Sequence, residues 1–312
     1  MKARIVWLVL ALIWGSTWLF IKIGLEDLPP LSFAGIRFVL ASLILGGIVA
    51  ARRSPLPRRK SDWLLIISTG VLAFALNYGL LFWGEQHVSS GLAALLQATI
   101  PVFGLLIAHL YLPGERLTAA KVAGVLLGVA GVGVVFSNQL EVAGPKALWG
   151  SAAIVLGAVF VAFSNVLVKA RGEHLDRAQL AAGQMVCGLV PLVVVGWATE
   201  GSPFGFNWTA RAVVSLLYLT VVGSVVAFLL FYWLVRNMDV TKTMLIALIT
   251  PLFAVLLGMA VLGERLTWRT LAGGALILSG IASVVWRRLR GEEKKVEEAA
   301  KEEKEEEAPV PS

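Results

Sequence analysis

Residues 101–135 read PVFGLLIAHLYLPGERLTAAKVAGVLLGVAGVGVV, and residues 251–285 read PLFAVLLGMAVLGERLTWRTLAGGALILSGIASVV. The two segments align with one single-residue gap, so that Pro101 matches Pro251. Both contain the run Gly-Glu-Arg-Leu-Thr, once at 114–118 and once at 263–267. A shared pentapeptide with matched proline and glycine on its flanks indicates an internal repeat.

Weaker matches extend this repeat towards the N-terminus. Phe82-Trp83 aligns with Tyr232-Trp233, and Lys22 aligns with Lys169. We therefore predict a first repeat at 1–143 and a second at 144–290. The remaining residues, 291–312, are rich in Glu and Lys, and this composition predicts a charged, disordered tail in the cytoplasm.

The composition requires a non-aqueous solvent. The chain is 58% hydrophobic and 15% charged, with a mean hydropathy of +0.81. Its charge-poor runs of about 20 residues are long enough to cross a bilayer as helices. We predict ten such spans: Ile5–Gly24, Ser32–Ala51, Trp63–Trp83, Ser89–Leu112, Ala119–Phe136, Leu148–Lys169, Ala178–Thr199, Ala212–Val235, Thr243–Leu262 and Thr270–Trp286.

An odd number of spans in each repeat makes the second half enter the membrane in the opposite sense to the first. The predicted fold is an all-α integral membrane protein with ten transmembrane helices, arranged as two inverted five-helix repeats. Secondary transporters use this architecture, with a binding site near the midplane where the repeats meet. We expect alternating access by rocking of one half against the other.

The distribution of Lys and Arg predicts the orientation. With the N-terminus in the cytoplasm, seventeen of these residues before the tail fall on the inner side and four fall on the outer side. This bias favours a multi-pass protein with both termini cytoplasmic. The net charge of +7 therefore reflects membrane topology, and we expect no nucleic-acid partner.

Several motifs together resemble those of the drug/metabolite transporter superfamily, in particular its EamA-type ten-helix permeases. They are Trp14-Gly15-Ser16-Thr17 running on to Lys22, Arg37 within Phe33–Phe38, Ser90–Leu96 leading to Thr99-Ile100-Pro101, and the twin Gly-Glu-Arg-Leu segments. The resemblance covers residues 1–290. It implies a bacterial or archaeal inner-membrane permease, often an exporter of amino acids or related metabolites. It also implies a central cavity lined by the first, third, fourth, sixth, eighth and ninth helices.

One departure from that superfamily concerns proton exchange. Its small multidrug carriers use a carboxylate in the first helix, whereas Ile5–Gly24 contains no Asp or Glu. The eleven acids before the tail all fall at predicted span ends or in loops. We therefore expect facilitated diffusion, or coupling by another route.

Lys22 and Arg37 are the two cations predicted within the membrane, where a charge is costly and is functional by default. The alternative is that Lys22 extends to the interface and that Arg37 pairs with Glu26 or Asp27. The sequence leaves both interpretations open.

The predicted substrate-binding residues are polar or aromatic. The polar groups either contact a solute or bond neighbouring helices. The two tryptophans share one helical face, and they either line a cavity or anchor the helix at the interface. The set is Trp14, Trp18, Asn77, Tyr78, Gln97, Thr99, Ser164 and Asn165.

Pro101 and Pro251 occupy equivalent places in the fourth and ninth spans, where each removes a backbone hydrogen bond. Paired helix bends of this kind either serve gating or only fit the packing. The glycines Gly124, Gly128 and Gly131 predict close packing of the fifth span, and a homodimer contact is the alternative. The Gly-Glu-Arg-Leu loops are predicted to be capping and turn elements.

No motif in the sequence supports catalysis, a cofactor or a metal site. The three histidines, His87, His109 and His174, lack paired ligands at metal spacing. We predict a non-enzymatic secondary transporter that moves small organic metabolites, with the lipid bilayer and the solute as its partners. The alternatives are an exporter of drugs or of sugar- or nucleoside-type metabolites, a passive channel, and an integral-membrane enzyme.

Overall fold

A computed structural model describes residues 2–51, 57, 59–112, 118–138, 144–238 and 246–283. The described residues contain helices and turns but no β-strand. Each of the ten predicted spans contains a helix in these residues. The beginning of the ninth span, the end of the tenth span and the tail at 291–312 lie outside them.

The described helices number ten when short interruptions within a span are ignored. They are α1 (Lys2–Gly24), α2 (Pro30–Ala51), α3 (Lys60–Glu85), α4 (Ser90–Tyr111), α5 (Ala119–Asn138), α6 (Gly144–Arg171), α7 (Arg177–Glu200), α8 (210–237), α9 (Ile246–Leu262) and α10 (268–283).

Seven helices in the described part of the chain are long and apolar enough to cross a membrane. These are α1, α2, α3, α4, α6, α7 and α8. The described parts of α5 and α9 are apolar but shorter. The chain is therefore a helical integral membrane protein, while ten spans in two inverted repeats stay a prediction.

The helices α4, α5, α8 and α10 each begin at a side chain that accepts a hydrogen bond from the first turn. Ser89 accepts from Leu92 N in α4, and Thr209 accepts from Ala212 N in α8. The threonine of each Gly-Glu-Arg-Leu-Thr segment does the same, Thr118 at α5 and Thr267 at α10. Such caps satisfy amide groups that the helix itself leaves free.

Wider, π-helical turns interrupt the third helix of each half. They span Val71–Leu76 in α3 and Tyr218–Val226 in α8. The alignment of Phe82-Trp83 with Tyr232-Trp233 makes the first π-helical segment equivalent in sequence to part of the second. Such turns redirect side chains and are common at functional sites. Their occurrence at equivalent positions of the two halves therefore indicates a functional region in this part of α3 and α8.

Helix ends from both halves meet at one end of the bundle, which we name the Lys22 end. There α1 and α3 finish, and α2 and α4 begin. Gly150 near the start of α6 lies against Gly84 near the finish of α3. The Glu200 carboxylate at the finish of α7 accepts hydrogen bonds from the first turn of α2.

The two halves are interleaved. The main partners of α1 are α8 and α9, α2 packs along α7, and α3 packs against α6 and α7. The helix α4 contacts α6 and α9, and α5 lies against α10. Nearly all of these contacts join one half to the other, so the helices of each half pack mainly against helices of the other half.

Glycines allow the close approach of α5 and α10. A Cβ on Gly131 would lie 2.5 Å from the Gly273 carbonyl oxygen, and one on Gly280 would lie 2.5 Å from the Gly124 carbonyl oxygen. Gly128 meets Val102 of α4 in the same way. The predicted packing role of these glycines is thus seen within the chain, and the glycine face of α5 is covered by α4 and α10.

We predict that Gly131→Ala destabilises the protein by about 1–3 kcal/mol, because the added methyl group meets backbone atoms that cannot move aside. The measurement is the free energy of unfolding in mixed micelles titrated with a denaturing detergent. Gly133→Ala on the same helix is the matched control, since nothing lies within 4 Å of its added Cβ. Equal losses in the two variants would contradict the described contact of α5 with α10.

Candidate functional site

Four polar side chains of the first half, one on each of its first four helices, are each seven residues from a helix terminus at the Lys22 end, or about 10 Å along a helix. They are Thr17, Arg37, Tyr78 and Gln97. We name these four the polar layer, together with Asn77 beside Tyr78 and with Ser224 of the second half, which is bonded to Arg37.

Arg37 is buried in the interior of the bundle, with 3% of its surface exposed. Its Nε donates a 3.1 Å hydrogen bond to Ser224 Oγ of α8. The guanidinium carbon lies 5.2 Å from the ring centre of Phe38 and 5.6 Å from that of Tyr78. Its Nη1 atom is buried and has no hydrogen-bond partner among the described residues.

The suggested pairing of Arg37 with Glu26 or Asp27 is wrong. Those two acids pair with Arg211, at 2.6 Å from its Nη1 to Glu26 and 2.6 Å from its Nε to Asp27. Arg211 begins α8 directly beside the α1–α2 loop, whereas Arg37 lies two turns deeper. The acid pair is therefore satisfied at the surface, and Arg37 has no ion-pair partner among the described residues.

Asn77 and Gln97 join α3 to α4. Gln97 Nε2 donates to Asn77 Oδ1 over 2.6 Å, and Gly157 of α6 passes close to this pair. The other amide atom, Gln97 Oε1, is buried, and the part of the chain that the structure describes offers it no donor. The layer thus contains one free donor on Arg37 and one free acceptor on Gln97.

The other predicted polar residues are placed outside this arrangement. Ser164 donates to the Thr69 carbonyl oxygen and so bonds α6 to α3. Thr99 bonds within its own helix, to the Leu96 carbonyl oxygen. Asn165 is exposed.

The aromatic residues form two separate groups. Trp14 contacts Phe231 of α8, with ring centres 5.5 Å apart. Trp18 packs against the cluster of buried residues that includes Phe33 and Phe38. Sequence reasoning did not select Tyr218, whose hydroxyl lies 2.6 Å from Ser16 Oγ and whose ring stacks on Phe20.

The two prolines differ in their local structure. The helix α4 is interrupted at Ala98–Thr99, and Pro101 lies in the first turn of its second segment. Pro251 lies inside α9, which continues through it as a helix. The paired positions are therefore not structurally equivalent.

Lys22 links α1 to the turn between α3 and α4. Its Nζ donates 2.6 Å hydrogen bonds to the carbonyl oxygens of Glu85 and Val88. The Glu85 side chain at this turn is fully buried, and neither of its carboxyl oxygens has a hydrogen-bond partner. Glu85 ends its span as predicted, but its burial was not foreseen.

The second Gly-Glu-Arg-Leu loop is a capping element, as predicted. Glu264 accepts hydrogen bonds from the backbone N–H of Ser90 at 2.7 Å and of Gly91 at 3.2 Å. Its carboxylate thereby caps α4 of the other half. Gly258 leaves room for it, because a Cβ there would overlap the carboxylate. The matching Glu115 lies outside the described residues.

The described residues contain no cluster of three or more metal-ligating side chains. What the polar layer offers chemically is a buried cation, a free amide oxygen and aromatic faces. Such groups suit reversible binding of a small polar solute.

We predict that Lys22→Met lowers the free energy of unfolding by about 1–3 kcal/mol, because two carbonyl acceptors lose their donor. Denaturing-detergent titration measures this change. Lys146→Met removes an exposed lysine near the start of α6 and should stay within about 0.5 kcal/mol. A Lys22→Met protein as stable as the control would show that the Lys22 contacts do not contribute to the free energy of unfolding.

The Asp27 side chain gives the protein an acid dependence. Hydrogen bonds from Arg211 and then Thr209 hold the pKa of the Asp27 carboxyl below its ordinary value. Since the folded pKa is the lower one, this stabilisation is present above the unfolded value of about 3.9 and is lost as the pH falls through the folded value.

We expect Asp27→Asn to destabilise the protein at neutral pH and to flatten its loss of thermal stability on acidification. Unfolding temperatures across the acid range measure both effects. Glu26→Gln, which removes the more exposed neighbour, should keep the acid dependence. An unchanged acid profile in Asp27→Asn would rule out this pair as its source.

The chain is similar to known proteins that are named as transporters. A model of the EamA-like transporter family matches residues 1–137 and 148–286. "Uncharacterized transporter YvbV" of Bacillus subtilis is 33% identical over 279 residues, covering 88% of each chain. "Uncharacterized inner membrane transporter YedA" of Escherichia coli is 31% identical over 265 residues, covering 83% of this chain and 82% of the relative.

A solved crystal structure shares the fold. It superposes with a TM-score of 0.63 and 20% sequence identity, over 90% of this chain and 96% of the other.

Proposed function

Because the chain belongs to the EamA-like transporter family, we propose that it is a secondary transporter that exports small organic metabolites, such as amino acids, by alternating access. The observation that carries this proposal is the polar layer. It contains two buried polar atoms without a partner among the described residues, Arg37 Nη1 and Gln97 Oε1, on helices of the first half that pack against helices of the second half. A solute at the interface of the repeats would be expected to use such groups.

Three observations support the ten-span, inverted arrangement. The Gly-Glu-Arg-Leu-Thr run recurs in the two halves, and the family model matches two stretches that nearly coincide with the proposed repeats. The finish of α1 and the start of α6 lie together at the Lys22 end. Since α1 and α6 are the first helices of their halves, this contact supports the proposal that the halves run in opposite directions.

The interleaved packing changes the expected motion. If the first half rocked as one body against the second, the contacts of α1 with α9 and those of α3 with α6 would both have to break at the same time. We infer that the moving bodies combine helices of both halves, one around α3, α6 and α7 and the other around α1, α8 and α9. The polar layer lies between these bodies.

The inner membrane is the proposed location, with both termini in the cytoplasm and the Lys22 end facing outwards. The excess of Lys and Arg on the inner side supports this orientation. The printed name of the Escherichia coli relative supports the location. The proposed partners are the bilayer and the solute, and a homodimer would need a surface other than the glycine face of α5.

Among other classes, an integral-membrane enzyme would need reactive side chains converging at one interface. The acids of the described residues at the Lys22 end instead serve as caps and ion pairs or, in the case of Glu85, lie buried beside Lys22. Exporters of drugs or of sugar- and nucleoside-type metabolites remain the alternatives within transport.

Counterflow into proteoliposomes tests the proposal. Vesicles loaded with a mixture of unlabelled amino acids should accumulate a labelled external amino acid, saturably and without an imposed gradient. Flux that does not saturate would indicate a channel, and the absence of counterflow for every amino acid would overturn the proposed substrate class.

We predict that Gln97→Ala reduces this counterflow at least about tenfold, since a polar contact to a bound solute is worth on the order of 1.5 kcal/mol or more. The matched control is Asn237→Ala, which removes an exposed amide of α8. Equal rates in the two variants would remove Gln97 from the site.

A further inference from the structure

The charge of Arg37 lacks a direct counter-ion among the described residues, and the buried Glu85 acts on it only electrostatically from a longer distance. The side chain is 3% exposed, and no carboxylate of the described residues forms an ion pair with it. A buried charge without a partner is unfavourable and is retained in membrane proteins where it has a task. We therefore expect the guanidinium to bind a negatively charged group that the described residues do not supply.

The helix-to-helix bond made by Arg37 does not require a charge. The alignment of Lys22 with Lys169 places Gln184 of α7 at the position equivalent to Arg37. Gln184 Nε2 donates to Thr69 Oγ1 of α3 over 2.8 Å, much as Arg37 bonds Ser224 of α8. A neutral glutamine thus joins the corresponding helices in the second half, so packing alone does not account for the positive charge.

The geometry leaves one nitrogen of the guanidinium, Nη1, without a partner among the described residues. Its Nε is occupied by Ser224, and Phe38 and Tyr78 lie near its carbon. The buried Nη1 has no acceptor. A guanidinium held in this way offers directed donors to a planar anion, and carboxylates match that geometry.

The polar layer suits one negative charge. Lys22, the other cation predicted within the membrane, already donates to two carbonyl oxygens nearer the end of the bundle. A phosphate ester, with about two negative charges at neutral pH, would lack a second cation. A carboxylate matches the single available charge.

We propose that Arg37 binds the carboxylate of the transported solute, so that the site selects amino acids and other carboxylates over amines and amides. This inference rests on the proposed function and adds the chemical group that the site recognises. It assigns to Arg37 the role of a substrate-binding residue.

The test compares leucine with leucinamide, which differ in the carboxylate, as competitors of amino-acid counterflow. In the unaltered protein leucine should compete and leucinamide should not. Arg37→Gln, which installs the side chain found at the equivalent position of the second half, should lower the apparent affinity for leucine roughly tenfold to a hundredfold. It should also abolish the preference over leucinamide. Glycerol 3-phosphate is included to separate phosphate esters from carboxylates.

Two further variants separate recognition from folding. Arg37→Lys keeps the charge without the planar fork and should retain the preference for leucine at reduced affinity. Arg4→Gln, an exposed arginine near the start of α1, should behave as the unaltered protein does. Unfolding temperatures of each purified variant report whether it is folded.

Ligand-induced thermal stabilisation of the purified protein distinguishes failure of this inference from failure of the proposed function. Stabilisation by leucine but not by leucinamide, lost in Arg37→Gln, supports the carboxylate site even if counterflow is absent and the transport proposal fails. Equal competition by leucine and leucinamide, or unchanged selectivity in a folded Arg37→Gln protein, overturns the inference while leaving transport intact. Stronger competition by glycerol 3-phosphate overturns it in favour of a phosphate site. Absence of both counterflow and stabilisation overturns both proposals.

Discussion

A hydrocarbon core supplies no hydrogen-bond partners, so polar groups that the chain carries into the membrane have to be satisfied within the protein. Most of the described polar groups obey this constraint through contacts between the two halves. Glu264 caps α4, Glu200 caps α2, and Lys22 holds the turn after α3. Among the groups that do not obey it, Arg37 Nη1 and Gln97 Oε1 belong to the polar layer and are the ones that the proposed site uses.

The sequence was most informative where the signal was local or repeated. Ten apolar runs predicted the positions of the described helices, and the twin Gly-Glu-Arg-Leu-Thr segments predicted capping elements. The pairing of Arg37 was not predictable, because its rival for Glu26 and Asp27 is Arg211, far away in the chain. The burial of Glu85 was missed for a similar reason, since its surroundings include Lys22 of α1. Such contacts depend on how distant helices pack, which periodicity and composition do not specify.

The same packing limits how the protein can move. Glycine contacts bring α5 and α10 together and place α6 against α3, so each half is enclosed by helices of the other. Stability thus comes from joining the halves, while transport requires separation along some other surface. In the proposed motion the polar layer lies at that surface, because unpaired polar groups hold helices together less firmly than close-packed glycines.

The claim on which this account depends is that the two halves cross the membrane in opposite directions. Glu26 and Glu173 test it directly, because each lies four residues after the aligned lysines Lys22 and Lys169, and both are exposed. Single cysteines are placed at these positions after Cys187, the chain's one cysteine, is replaced by serine. With a membrane-impermeant maleimide applied to intact cells, the account predicts labelling at position 26 alone, and labelling at position 173 only after permeabilisation. Labelling of both positions from the same side would contradict the inverted arrangement.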